Sequence, residues 1–146
     1  ELRQIPAETN GVIAVSAVDR RSNRASYSNG GRPHNDVSAP GGGTAAGGCG
    51  QYVLSTFPTI HGSYGCISGT SMASPHAAGV AALIISQFGD LRPAAVERIM
   101  RRTSIDIEAP GYDRCFGTGR VDALRAVHNR QGPVRQLALC PRYSND

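Results

Sequence analysis

At 146 residues, 40% of them hydrophobic, the chain is long enough for one modest core and is not compositionally disordered. The formal net charge is +4, yet all 15 basic residues are Arg, scattered rather than blocked, which excludes a basic nucleic-acid patch. No apolar run reaches the roughly 18 residues of a membrane span, so neither nucleic acid nor membrane is an expected partner.

The chain opens at Glu1 without an initiator Met or a charged-then-apolar leader, which reads as a processed product or a fragment. Residues 11–18 (Gly-Val-Ile-Ala-Val-Ser-Ala-Val) form a continuous β-branched and small run ended by Asp19. Such a run predicts a strand buried on both faces, the habit of parallel sheets in α/β proteins. Ala25–Ser28 is a second, weaker strand before the Asn29-Gly30-Gly31 turn, and Asp36–Ala39 is a third, stopped by Pro40-Gly41. Arg20, Arg24, Arg32, Arg92, Arg114 and Arg130 read as a solvated surface. Between Gly41 and Gly50 lies a Gly/Ala loop with no capacity to pack a core of its own.

Gln51–Phe57 and Ser63–Ile67 read as strands of a hairpin, separated by a turn containing Pro58 and Gly62. A long helix follows from about Ser71 to Gln87, apolar around most of its circumference through Ala77, Val80, Ala81, Leu83, Ile84 and Ile85. That pattern belongs to a helix surrounded by protein. Pro93 opens another helix at its favoured first-turn position, with Val96, Ile99 and Met100 as the core stripe and Glu97, Arg101 and Arg102 facing water. Val121, Leu124 and Val127 line a last amphipathic helix, and periodicity fades after Gln131.

Cys49, Cys66, Cys115 and Cys140 are spaced 17, 49 and 25 residues apart, without the CxxC pair of a zinc ribbon or thioredoxin-type site. An even count fits two disulfides with three pairings open, or small buried thiols. Cys49 with Cys66 is the favoured pair, because they flank one hairpin-like stretch.

The chemistry concentrates at Gly69-Thr70-Ser71-Met72-Ala73-Ser74-Pro75-His76. A serine at the start of a long helix sits where backbone N–H groups and a positive partial charge can receive a developing oxyanion. A hydroxyl is nonetheless a poor nucleophile until a base takes its proton. His76 lies five residues on, about 140° around the helix at roughly 100° per residue, and reads as a packed histidine rather than the base. His34 and His128 read as surface residues, and His61 as a turn residue near the cleft on a mobile mount. Lys is absent, so no Ser-xx-Lys arrangement exists. The base is expected from elsewhere.

The serine octapeptide resembles the signature of the subtilisin-like serine proteases, the subtilase family. Pro6-Ala7 with residues 12–19, Asp36–Gly41, Val53–Thr56 and Phe116–Ala123 resemble further segments of that family in the same order. The resemblance covers residues 6–131. It implies an α/β fold, part of a three-layer parallel-sheet architecture incomplete in this chain, with residues 1–131 as the C-terminal half of a catalytic domain and 132–146 as a tail or linker. Gly119 is then a turn glycine and Arg120 opens the closing helix.

By the same resemblance Ser71 is the acylating nucleophile, and its backbone N–H is one oxyanion donor. The triad Asp and His and the oxyanion Asn belong upstream of residue 1, on the N-terminal half of the same domain, which becomes the expected partner. Ile67, Ser68, Gly69, Thr70 and Met72 line the substrate cleft, Tyr27 reaches its leaving-group side, and the substrate is a polypeptide. The Met72 thioether is an oxidation target beside the oxyanion site. The chemistry needs no cofactor, while the resemblance allows a structural calcium at Asp36, joined by carbonyls near Ala7 and Val12. Cysteines depart from the familiar bacterial subtilisins and point to a disulfide-stabilised, secreted branch. The alternative is a catalytically incompetent module kept for binding or structure.

Overall fold

A computed structural model describes residues 5–29, 35–43 and 48–135. Strand β1 (Val15–Val18) pairs in parallel with β2 (Val37–Pro40), placing Val15 opposite Val37 and Val18 opposite Pro40. Residues Ile13, Val15 and Ala17 face the main core, whereas Val18 packs with Ile107, Cys115 and Phe116 on the other side. Ser16, on that second face, is buried and donates its hydroxyl to the Cys115 carbonyl at 2.8 Å. β1 is therefore covered on both faces, as its unbroken apolar run predicts.

The sheet continues past β2 through single bridges, from Ser38 to Arg120 in parallel and from Arg120 to Ile105 antiparallel. Beyond Ile105, β5 (Asp106–Ile107) pairs in parallel with β6 (Val134–Arg135), so residues within the expected tail join a strand ladder. Gly119 holds φ near +113°, and a Cβ there would stand 2.2 Å from the Ile105 carbonyl oxygen, so only glycine fits this crossing. Arg120 belongs to the sheet, exchanging backbone hydrogen bonds with Ile105 and donating through its guanidinium to Ser22 at 2.6 Å. It does not open a helix. Helix α3 (Ala123–His128) starts instead behind Asp122, whose carboxylate accepts the Arg125 N–H at 2.9 Å as an N-cap. With only six residues, α3 buries Ala126 and leaves Leu124 69% exposed, so Leu124 is no part of a core stripe.

The hairpin forms as expected, with β3 (Val53–Thr56) antiparallel to β4 (Tyr64–Ile67) and Leu54 opposite Cys66. Cys49 and Cys66 form a disulfide across a Cα–Cα distance of 5.3 Å, so the favoured pairing holds. Cys115 is buried and disulfide-bonded as well, while Cys140 lies outside the described residues. Ala25–Ser28 is a turn closed by the Ser28 N–H on the Ala25 carbonyl at 2.9 Å, not a strand. Four residues of weak strand character are too few to outcompete a local turn hydrogen bond. Arg24 is built into that turn, half-buried and hydrogen-bonded to the Ser28 carbonyl.

Helix α1 (Thr70–Phe88) lies across β1 and β2, with α2 (Pro93–Thr103) and α3 packed beside it. Its buried positions Ala73, Ala77, Val80 and Ile84 follow i, i+4, i+7, i+11 spacing and meet Ala17, Val37, Ala39, Val96 and Met100 in the core. Leu83 and Ile85, flanking the buried Ile84, and Phe88 at the last turn remain exposed. In α2, Pro93 sits in the first turn, Val96 and Met100 are buried and Ile99 packs at the edge. Arg101 and Glu97 do not simply face water. They are half-buried and paired at 3.1 Å, with Arg101 also 3.6 Å from Asp36. No helix among the described residues is long and apolar enough to cross a membrane.

Candidate active site

Ser71 is exposed at the second residue of α1. The turn before it is fixed by backbone bonds alone: Gly69 donates its N–H to the Gly41 carbonyl at 2.9 Å, and its own carbonyl accepts from Met72 at 3.0 Å and Ala73 at 3.4 Å. Gly69 is the N-cap residue, in extended backbone between β4 and the helix, and makes no side-chain cap. The N–H groups of Thr70 and Ser71, in the first helical turn, have no carbonyl acceptor among the described residues. They point their positive ends out of the turn, the same end to which the helix dipole adds partial positive charge. This is a receptor for a small anion or an oxyanion beside an exposed hydroxyl.

The predicted cleft residues are contiguous around this turn. Ile67, at the end of β4, is 40% exposed, Thr70 is exposed, and Ser68, Gly69 and Met72 are half-buried. The Met72 sulfur stands 3.7 Å from where a Gly69 Cβ would be, so the thioether roofs the turn.

No base is brought to Ser71 by the described histidines. The His76 Nδ1–H donates to the Met72 carbonyl at 2.8 Å, and the ring is exposed rather than packed. His76 is therefore not the packed residue the sequence predicts, though five helical residues still set it on a different side of the helix from Ser71. His61 is exposed in a short helical turn (Thr59–His61), His128 is exposed at the end of α3, and His34 lies outside the described residues.

Asp36 is engaged within the chain: one carboxylate oxygen accepts the Ala14 N–H at 2.8 Å and the other lies 3.6 Å from the Arg101 guanidinium. Among the described residues no three His, Cys, Asp or Glu side chains are grouped to hold a metal.

Sequence reasoning missed the part played by Tyr27. Its phenol is half-buried with the oxygen 2.7 Å from the Gly41 carbonyl and 2.6 Å from that of Gly42, beside the turn that carries Ser71. Burial pushes its acidity constant above the ordinary phenol value, against the opposing effect of the neighbouring Gly69 backbone and Ser68 side chain, so it stays a hydrogen-bond donor at neutral pH.

The sequence profile described as the subtilase family matches residues 2–119. Subtilisin DY of Bacillus licheniformis is 38% identical over 122 residues, covering 84% of this chain and 39% of that protein. An extracellular protease of Xanthomonas campestris pv. campestris is 42% identical over 129 residues, with 84% of this chain and 20% of the relative covered. Among solved structures, a protease of Pseudoalteromonas arctica superposes with a TM-score of 0.73 at 42% identity, over 85% of this chain and 37% of that one. The chain thus spans about two fifths or less of the length of these relatives. With most of its length aligned to proteins that share both its sequence and its fold, the chain belongs to the subtilase family.

Proposed function

We propose that this chain carries the nucleophile of a serine endopeptidase and contributes it to a catalytic domain completed by residues outside these 146. The observation that carries this reading is Ser71 itself, exposed on a rigid glycine turn with a free backbone N–H beside its hydroxyl. In the reaction the Ser71 Oγ bonds to the scissile carbonyl carbon as its proton passes to a histidine base. The carbonyl oxygen takes up negative charge against the Ser71 N–H, the C–N bond breaks, and the amine leaves with that proton. Water then hydrolyses the acyl-enzyme. The base, its orienting Asp and the Asn donor are assigned to an N-terminal segment of the same domain, because no described histidine is hydrogen-bonded to Ser71.

Ile67, Ser68, Gly69, Thr70 and Met72 form the wall on which the polypeptide leaving group lies. Relatives named as extracellular proteases and the Cys49–Cys66 bridge support an extracellular site of action. The second reading, a binding module without catalysis, draws on one observation, that Ser71 has no histidine hydrogen-bonded to it among the described residues.

A fluorophosphonate probe separates the two. In the full-length protein it should label wild-type Ser71 and not Ser71→Ala, and it should scarcely label the 146-residue chain alone. Full-length protein that resists the probe would favour the non-catalytic module, and equal labelling of the isolated chain would show that the base lies within it.

A further inference from the structure

We infer that the Tyr27 hydroxyl is a positioning group for the nucleophile, acting through the glycine segment 41–43 on the turn that carries Ser71. This rests on the reading of Ser71 as the nucleophile. The mount begins in the core: Ala17 N–H donates to the Ser28 hydroxyl at 2.9 Å and the Ala17 carbonyl accepts the Ala25 N–H at 3.0 Å, fixing the turn on which Tyr27 stands to strand β1. From there the phenol reaches two successive carbonyls, Gly41 and Gly42. The Gly41 carbonyl is the very acceptor of the Gly69 N–H, and Gly69 in turn receives the first two bonded N–H groups of α1.

A segment of three glycines has no side chains with which to hold its own place, so its backbone groups must be gripped by others. Space enforces the same contact. A Cβ on Gly41 would stand 2.6 Å from the Ala17 Cβ and 2.7 Å from the Gly69 carbonyl oxygen, and one on Gly42 would stand 2.9 Å from the Ser68 Cβ. The glycines are thus pressed between β1 and the nucleophile turn, and Tyr27 closes the assembly from the side. The route β1, Tyr27, Gly41, Gly69, Ser71 consists of hydrogen bonds and chain neighbours throughout. Tyr27 touches no reacting atom.

The test is Tyr27→Phe in the full-length protein, which removes the oxygen and keeps the ring. The expected result is a fall of about tenfold in both kcat and the rate of fluorophosphonate labelling, the scale of one lost hydrogen bond. KM should stay within about twofold and the melting temperature should change little, while the Gly69 amide exchanges faster with deuterium. Unchanged kcat and labelling rate in Tyr27→Phe would overturn the inference. Should wild-type protein resist the probe, the reading of Ser71 as nucleophile fails separately. The tether is then decided by exchange alone, where an equally protected Gly69 amide in both proteins rejects it.

Discussion

Asp113 shows how a single side chain can be both needed and costly. One carboxylate oxygen accepts N–H groups from Cys115 at 2.8 Å and Phe116 at 2.7 Å, shaping the turn that covers the second face of β1. Burial pushes its acidity constant up; those two N–H bonds oppose the shift, and the charges of Glu108 and Asp106 reinforce it. A carboxyl raised above its unfolded value binds its proton more tightly in the folded state, so it costs stability above the folded value and nothing below the unfolded one. Asp113→Asn keeps an acceptor for both N–H groups and removes the charge. It should hold or raise the melting temperature at neutral pH and flatten the stability profile through the acid range. Asp113→Ala should instead lose about 1–2 kcal/mol, because the two N–H groups lose their partner. Thermal melts of both variants from acid to neutral pH check this. The residue scale is also where the sequence was least legible. Ser71 and its helix position stand out in the octapeptide, but the contacts of Tyr27 join residues 14 and 15 positions apart, with no local pattern to announce them. Asp36 and Arg101 likewise stand far apart in the sequence, and only α2 brings them together.

Among the elements, legibility followed length and punctuation. β1, β2, the hairpin and α1 were readable because continuous apolar runs ended at Asp19, Pro40-Gly41, Pro58 and Gly89. Ala25–Ser28 and the six-residue α3 were not, since a local turn bond and a single buried alanine outweigh propensity over so few residues. The hairpin is the element with the clearest test. Its strands bury little, with Leu54 64% and Tyr64 67% exposed, so packing alone gives it scant support. The Cys49–Cys66 bridge closes a separation of 17 residues, which is worth about 3 kcal/mol by chain entropy. The double variant Cys49→Ser/Cys66→Ser should lose about that much in denaturant titration. Its amides in β3 and β4 should exchange faster, while those in β1 and β2 keep their protection. Uniform loss of protection across both sheets would mean that the bridge supports the whole fold rather than the hairpin.

At the scale of the molecule, the main core lies on one side of α1, while Leu83, Ile85 and Phe88 in its last two turns stay 39–46% exposed. Ile60 at 85% and Leu54 at 64% add apolar surface on the hairpin side. On the proposed function, this apolar surface is where the completing segment of the domain would pack. The isolated 146-residue chain should therefore bind a hydrophobic dye, self-associate, and melt broadly rather than in one cooperative step. Adding the segment that supplies the other catalytic residues should suppress the dye signal. A sharp, reversible transition of the isolated monomer, without dye binding, would contradict this account. One helix of 19 residues, about 28 Å long at 1.5 Å per residue, carries Ser71 at one end and bare aliphatic and aromatic side chains at the other. On the proposed function, whatever clothes the far end also steadies the end that carries the hydroxyl, because one continuous rod joins the two.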